Sequence, residues 1–97
     1  MRVRKKARHR PSPDLALVRR HEAAVIEIKA ALARALRRRR AAAGLSQGRL
    51  ADRLGSSQSR VSKIEAGDPE VSLDLVVRAH LAAGASRGDV GRVIGQA

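Results

Sequence analysis

The segment LSQGRLADRLGSSQSRVSKIEAG, Leu45 to Gly67, holds two helix starts and two helix stops. Ser46 and Ser57 are short polar residues of the kind that favour the N-cap, where a side-chain oxygen accepts from a backbone N–H of the first turn. Gly55 and Gly67 stand where a left-handed backbone ends a helix without the penalty of a Cβ. The spacing predicts helices over Gln47–Leu54 and Gln58–Glu65, joined by the turn Gly55-Ser56-Ser57. Leu50, Ala51 and Leu54 fall on the inner face of the first helix, and Val61 and Ile64 on that of the second. Ala51 is small enough to let the second helix cross close over the first.

The same punctuation extends outward. Ser72 starts a helix over Leu73–Ala83, with Asp74 in its first turn and Gly84 as its stop. Ser86-x-x-Asp89 has the capping-box pattern for a last short helix through Ile94, and Gly67-Asp68-Pro69 makes a turn and an extended link. Upstream, Asp14 to Ala43 contains no Gly and no Pro and is rich in Ala, Leu, Arg and Glu, all good helix formers. Val25, Ile28, Leu32 and Leu36 recur at spacings of three and four, which makes one apolar stripe. Leu15 and Val18 continue it backwards, although Glu22 interrupts the seam. Ser12 is the expected cap of this helix, with Pro13 at its first position and Asp14 facing the positive dipole end; Gly44 is the expected stop. A single helix here is about 45 Å long at 1.5 Å per residue, and a break near His21–Glu22 is the alternative. No segment alternates with period two. The predicted class is all-α: a compact five-helix domain with a long first helix and a basic N-terminal arm.

The 97 residues carry 21 Lys+Arg against 9 Asp+Glu, a formal net charge of +12, and contain no Cys, Trp, Tyr or Phe. Without cysteine there is no disulfide framework, thiolate zinc site or cysteine nucleophile. Without aromatic rings there are no stacking platforms for single-stranded nucleic acid. No apolar run approaches the ~20 residues of a membrane span, and the basic start runs into Pro11 and Pro13 rather than an apolar leader. The charge is lopsided: residues 1–40 hold 14 Lys/Arg and three acids, whereas residues 41–97 hold seven and six. Such clustering implies a polyanionic partner, most often nucleic acid. The bland alternative is a solvated tail that keeps the chain soluble. Met1–Arg10 cannot bury enough surface to order itself and is expected to be a flexible arm.

Two short helices crossing at a glycine turn form the helix-turn-helix arrangement, whose second helix lies in the DNA major groove. The block formed by Arg40, Gly44-Leu45-Ser46-Gln47, Leu50-Ala51, Leu54-Gly55 and Val61-Ser62-Lys63-Ile64-Glu65-Ala66-Gly67 resembles the Cro/CI-type, lambda-repressor-like helix-turn-helix family. The resemblance covers about residues 28–95, and it divides the chain into an arm (1–13), a helical extension (14–27) and a DNA-binding domain (28–97).

The residue types suit that chemistry. Ser57 and Gln58 stand at a helix N-terminus, where backbone N–H groups attract phosphate. Gln58 can contact adenine in bidentate fashion, Arg60 or Lys63 can reach guanine, and Ser59 and Ser62 are permissive. The resemblance implies that Gln47 holds backbone phosphate, that Gln58, Ser59 and Lys63 read bases, and that Arg40 pairs with Glu65 to tie the first helix to the recognition helix. Arg37 and Arg38, with Arg2, Arg4, Lys5, Lys6 and Arg8 of the arm, are expected on the DNA backbone. Gly48 and the acids Asp68 and Glu70 depart from the family pattern.

These residues lead to an expected homodimeric regulator in the bacterial or phage cytoplasm, associated with the nucleoid. It would repress its own promoter from a palindromic double-stranded operator whose half-sites lie about one helical turn apart. An N-terminal extension on such a domain also resembles HigA-like antitoxins, which implies a cognate toxin bound to Leu15, Val18 and Val25. The alternatives are a protein-interaction adaptor and a non-specific nucleoid binder. No catalytic residue, cofactor or metal is expected: His9, His21 and His80 match no metal or H-E-x-x-H spacing, and His80 is expected on a helix surface. Gly84, Gly88, Gly91 and Gly95 form no strand-glycine-helix phosphate loop.

Overall fold

The computed structural model describes residues 14–97. The basic arm with Arg2, Arg4, Lys5, Lys6 and Arg8, and the expected Ser12-Pro13 helix start, lie outside the described residues. Five helices follow: α1 (Leu15–Ala42), α2 (Gln47–Leu54), α3 (Gln58–Glu65), α4 (Leu73–Ala82) and α5 (Arg87–Gln96). Among the described residues there is no strand.

Local rules account for most boundaries. Ser46, Ser57, Ser72 and Ser86 cap α2 to α5, each accepting from the backbone N–H three residues on. The start of α1 differs from the expectation. Asp14 is the cap, its side chain accepting from the Leu17 N–H at 3.2 Å. A carboxylate there satisfies an orphan donor and faces the positive end of the dipole at once. α1 also runs unbroken through His21 and Glu22, so the two-helix alternative fails. The turn between α2 and α3 is closed by Gly55 at φ 71°, with the Ser56 N–H donating to the Ala51 carbonyl at 2.9 Å. That six-residue closure needs a left-handed residue, which a Cβ would penalise by about 1–2 kcal/mol.

One core organises the fold. Leu32 and Leu36 of α1, Leu50 and Ala51 of α2, Val61 and Ile64 of α3, Val76 and Ala79 of α4 and Val90 of α5 are all buried in it. α1 packs against α3, α4 and α5, and α2 packs against α3 and α4. Only α1 from Ile28 onward joins this core; its first half stands clear, with every residue from Leu15 to Glu27 exposed.

His80 corrects the sequence expectation. It is buried, 1% exposed, with Nε2 lying 2.8 Å from the Leu32 carbonyl oxygen. A carbonyl only accepts, so Nε2 carries a proton and donates. Burial, with the nearby Arg39 charge, pushes the imidazole below its usual range against the opposing effect of this bond. The folded state therefore holds a neutral ring where the unfolded chain binds a proton below about pH 6.5. The sign follows: the unfolded state takes up more protons, so stability is complete above about pH 6.5 and falls as pH drops from there through the lower folded-state pKa. Denaturant unfolding from pH 7.5 to 5 is expected to show this slope, and His80→Leu is expected to flatten it. An equal slope in that variant would remove His80 as the cause.

Gly48, in the first turn of α2, has no positive φ, and a Cβ there would sit 3.7 Å from Gln58 Oε1 and 3.8 Å from Ser46 Oγ, ordinary contact distances. Gly48→Ala is thus expected to stabilise the fold by about 0.5–1 kcal/mol, through helix propensity alone. Urea denaturation measures this, and a net loss would mean that the Gln58 amide needs the gap.

Candidate nucleic-acid interface

α3 presents two unlike faces. Val61 is 0% and Ile64 1% exposed, because both plug into the core beneath α1 and α2. Gln58, Ser59, Arg60, Ser62 and Lys63 point outward and are exposed. Ser57 lies at the start of this face, its hydroxyl accepting from the Arg60 N–H at 3.1 Å, so it both caps the helix and borders the open N-terminal turn. Ser59, Arg60 and Lys63 share a shallow depression with Asp68, Glu70 and Ser72 of the following link. Asp68 is turned into that link, its Oδ1 accepting from the Glu70 N–H at 2.8 Å.

The back of α3 is clamped to α1 and α2 through one carboxylate. Arg40 donates from Nε to Glu65 Oε2 at 2.5 Å and from Nη2 to Oε1 at 3.0 Å, a bidentate fork. Its Nη1 donates to the Leu45 carbonyl at 2.8 Å, reaching across the α1–α2 turn. Gln47 Nε2 donates to Glu65 Oε1 at 3.2 Å. The Glu65 side chain is only 4% exposed and that of Arg40 15%. Burial opposes ionisation of Glu65, but the hydrogen bonds from Arg40 and Gln47 and the charges of Arg40 and Arg37 outweigh it, holding the carboxyl below its usual range. Gln47 is therefore half-buried and engaged inside the protein, with one amide N–H and its carbonyl oxygen left over.

Four consecutive arginines at the end of α1 go to different places. At 100° per residue, Arg37 and Arg38 point in different directions. The Arg37 charge reaches Glu65 on the α3 side, whereas Arg38 lines the groove between α1 and α5 beside Val93. Arg39 pairs with Asp89 of α5 at 3.4 Å and Arg40 with Glu65. Arg49, absent from the sequence expectation, is exposed in the first turn of α2. A cation at that end opposes the helix dipole, a signal in the sequence that something other than helix stability favours it. Leu15, Val18 and Val25 lie well away on the exposed half of α1, 59%, 38% and 52% exposed, and are joined there by Leu17 and Ile26.

Residues 31–93 match the family model described as a helix-turn-helix domain. The chain belongs to that helix-turn-helix family. The match spans the second half of α1 through most of α5 and includes α2, the glycine turn and α3 in full. No curated protein matches the chain, and no solved structure does. As a helix-turn-helix protein it carries a DNA-binding module whose second helix is α3. Among the described residues, no helix is long and apolar enough to cross a membrane.

Proposed function

We propose that this protein is a sequence-specific double-stranded DNA-binding transcriptional regulator that reads base edges in the major groove with α3. The observation that carries the reading is the division of that helix: Val61 and Ile64 are fully buried, while Gln58, Ser59, Ser62 and Lys63 are all free of the body. In this reading Gln58 and Lys63 supply the base contacts, and Ser59 and Ser62 tolerate the neighbouring bases. Ser57, Arg60, Arg37 and Arg49 hold phosphate, and the leftover Gln47 N–H joins them. Arg38, on the α5 side, contributes through the general positive field rather than by contact. The protein works at the nucleoid as an autorepressor on a palindromic operator. An antitoxin role would use the exposed half of α1 for the toxin.

Selection from random duplex DNA tests the reading. The expected result is a palindromic consensus bound about 10³-fold or more tightly than random duplex at physiological salt. A uniform affinity with a steep salt slope would replace it with non-specific binding, and no duplex binding at all would leave a protein-interaction adaptor.

A further inference from the structure

The last turns of α1, the end of α4 and the first half of α5 border a groove of about 540 Å³. Small-molecule sites run from about 300 to 1,000 Å³. Ala35 of α1, Ala83 at the C-cap of α4 and Val93 of α5 give the groove an apolar wall, and Arg38, Arg39 and Asp89 give it a charged one. These charges do not cancel. Asp89 is engaged by its own helix, Oδ2 accepting from the Ser86 N–H at 2.8 Å and Oδ1 from Arg92. Arg39 stands 3.4 Å from the oxygen that Ser86 already occupies. Arg38 has no carboxylate partner among the described residues.

We propose that this groove binds a small organic carboxylate, with Arg38 and Arg39 holding its charge and Ala35, Ala83 and Val93 receiving its apolar body. Two guanidinium forks with donors to spare match a planar carboxylate, and they stand beside a wall that a purely inorganic anion would leave uncovered. The C-terminal ends of α1 and α4 lie nearby and disfavour an anion. Their last carbonyls are largely taken, however, by the N–H groups of Ala43, Gly44 and Leu45 and of Ala83, Gly84 and Ala85. The two full charges outweigh what remains of the dipoles.

A second, independent observation is His80, whose buried ring completes the lining. Nε2 donates to the Leu32 carbonyl, which leaves Nδ1 without a partner among the described residues. Buried polar atoms left unpaired are uncommon in native proteins. The charged groups facing this ring in the groove are Arg38 and Arg39 of α1 and Asp89 of α5. Burial first, and the Arg39 charge after the opposing Leu32 bond, hold the ring neutral. A carboxylate seated on Arg39 offsets that charge, so Nδ1 takes up a proton more readily and becomes a further donor beside the anion. Binding and proton uptake are thereby linked. The site stands apart from the DNA reading. Arg37 and Arg40 serve the α3 side of α1, so an occupied groove leaves Gln58 and Lys63 open.

Titration of the full-length protein with cyclohexanecarboxylate, followed by amide NMR at constant ionic strength, tests the site. Saturable shifts are expected at Ala35, Ala83 and Val93, with a Kd of about 1–10 mM for so small a probe. Acetate, which has the charge alone, and cyclohexanecarboxamide, which has the apolar body alone, should each bind at least about tenfold more weakly. Arg38→Gln is expected to weaken binding on the order of tenfold without moving the thermal transition, since Arg38 is exposed and unpaired; Arg20→Gln, the same charge loss on the free half of α1, should change nothing. Affinity should be about two- to threefold higher at pH 5.5 than at pH 8, and His80→Leu should abolish that difference. Equal binding of the carboxylate and the carboxamide, shifts confined to other parts of the chain, or no saturable shift at all would overturn the site. A Kd indifferent to both pH and Arg38→Gln would do the same, because the carboxylate would then lie away from the arginines.

Discussion

Replacing Gln58 and Lys63 together with alanine is expected to leave a folded protein that no longer distinguishes its selected site from random duplex. Each good bidentate contact to a base edge is worth about 1–3 kcal/mol of discrimination. Losing two therefore removes about 2–6 kcal/mol, on the order of 30- to 20,000-fold in the ratio of specific to non-specific affinity. Both side chains are exposed and lie on the face of α3 opposite Val61 and Ile64, so unfolding free energy should move by no more than about 0.5 kcal/mol. Non-specific affinity should fall only slightly, because Lys63 supplies at most one phosphate-neutralising charge. Competition binding against the selected site and against random duplex measures both quantities. A double variant that keeps its specificity ratio would move base reading away from α3.

Arg40→Ala is expected to be the most damaging single substitution of a charged residue to stability. It removes both arms of the fork on Glu65 and the bond to the Leu45 carbonyl, and it leaves a carboxylate that is 4% exposed with only Gln47 as donor. Breaking a buried pair from one side costs about 3 kcal/mol or more, since the remaining charge keeps its desolvation penalty. For a domain of this size that corresponds to a fall in Tm of about 12 °C or more. Removing both charges, as in Arg40→Met with Glu65→Met, should cost less than Arg40→Ala alone. Wild-type stability from this pair has a definite sign in pH. The Glu65 carboxyl titrates lower when folded, so its contribution is complete above the unfolded value near 4.3 and is lost as pH falls through the folded one. A loss below about 1 kcal/mol for Arg40→Ala would show instead that water screens the pair as it does surface bridges.

The five helices and all-α class were legible because they rest on nearest-neighbour rules. A serine cap and a glycine stop act over three to five residues, and those are the distances a sequence displays. The start of α1 shows the limit of such rules. Ser12-Pro13-Asp14 offers two capping residues two apart, and the chain uses the carboxylate. His80 shows a different limit. It continues the spacing Val76, Ala79, Ala83 and so occupied a core position in plain view, yet its partner, the Leu32 carbonyl, is 48 residues away. The outward face of α3 followed from helical periodicity, whereas the allocation of Arg37 to Arg40 did not. Four identical side chains in a row are separated only by what each 100° step brings them against, and α3 and α5 come from distant sequence.

The brevity of α2 to α5, at 8 to 10 residues each, has a practical consequence. Helices shorter than about 12–15 residues are marginal in water, so a peptide excised as residues 45–67 should be largely coil, while one spanning α1 should retain helix. The proposed DNA-reading surface therefore cannot be transplanted as a fragment. Its exposed side chains can still be exchanged in place, because Gln58, Ser59, Ser62 and Lys63 contribute nothing to the core that holds α3. Recognition in this molecule is thus open to redesign by side chain, on a scaffold that must be kept whole.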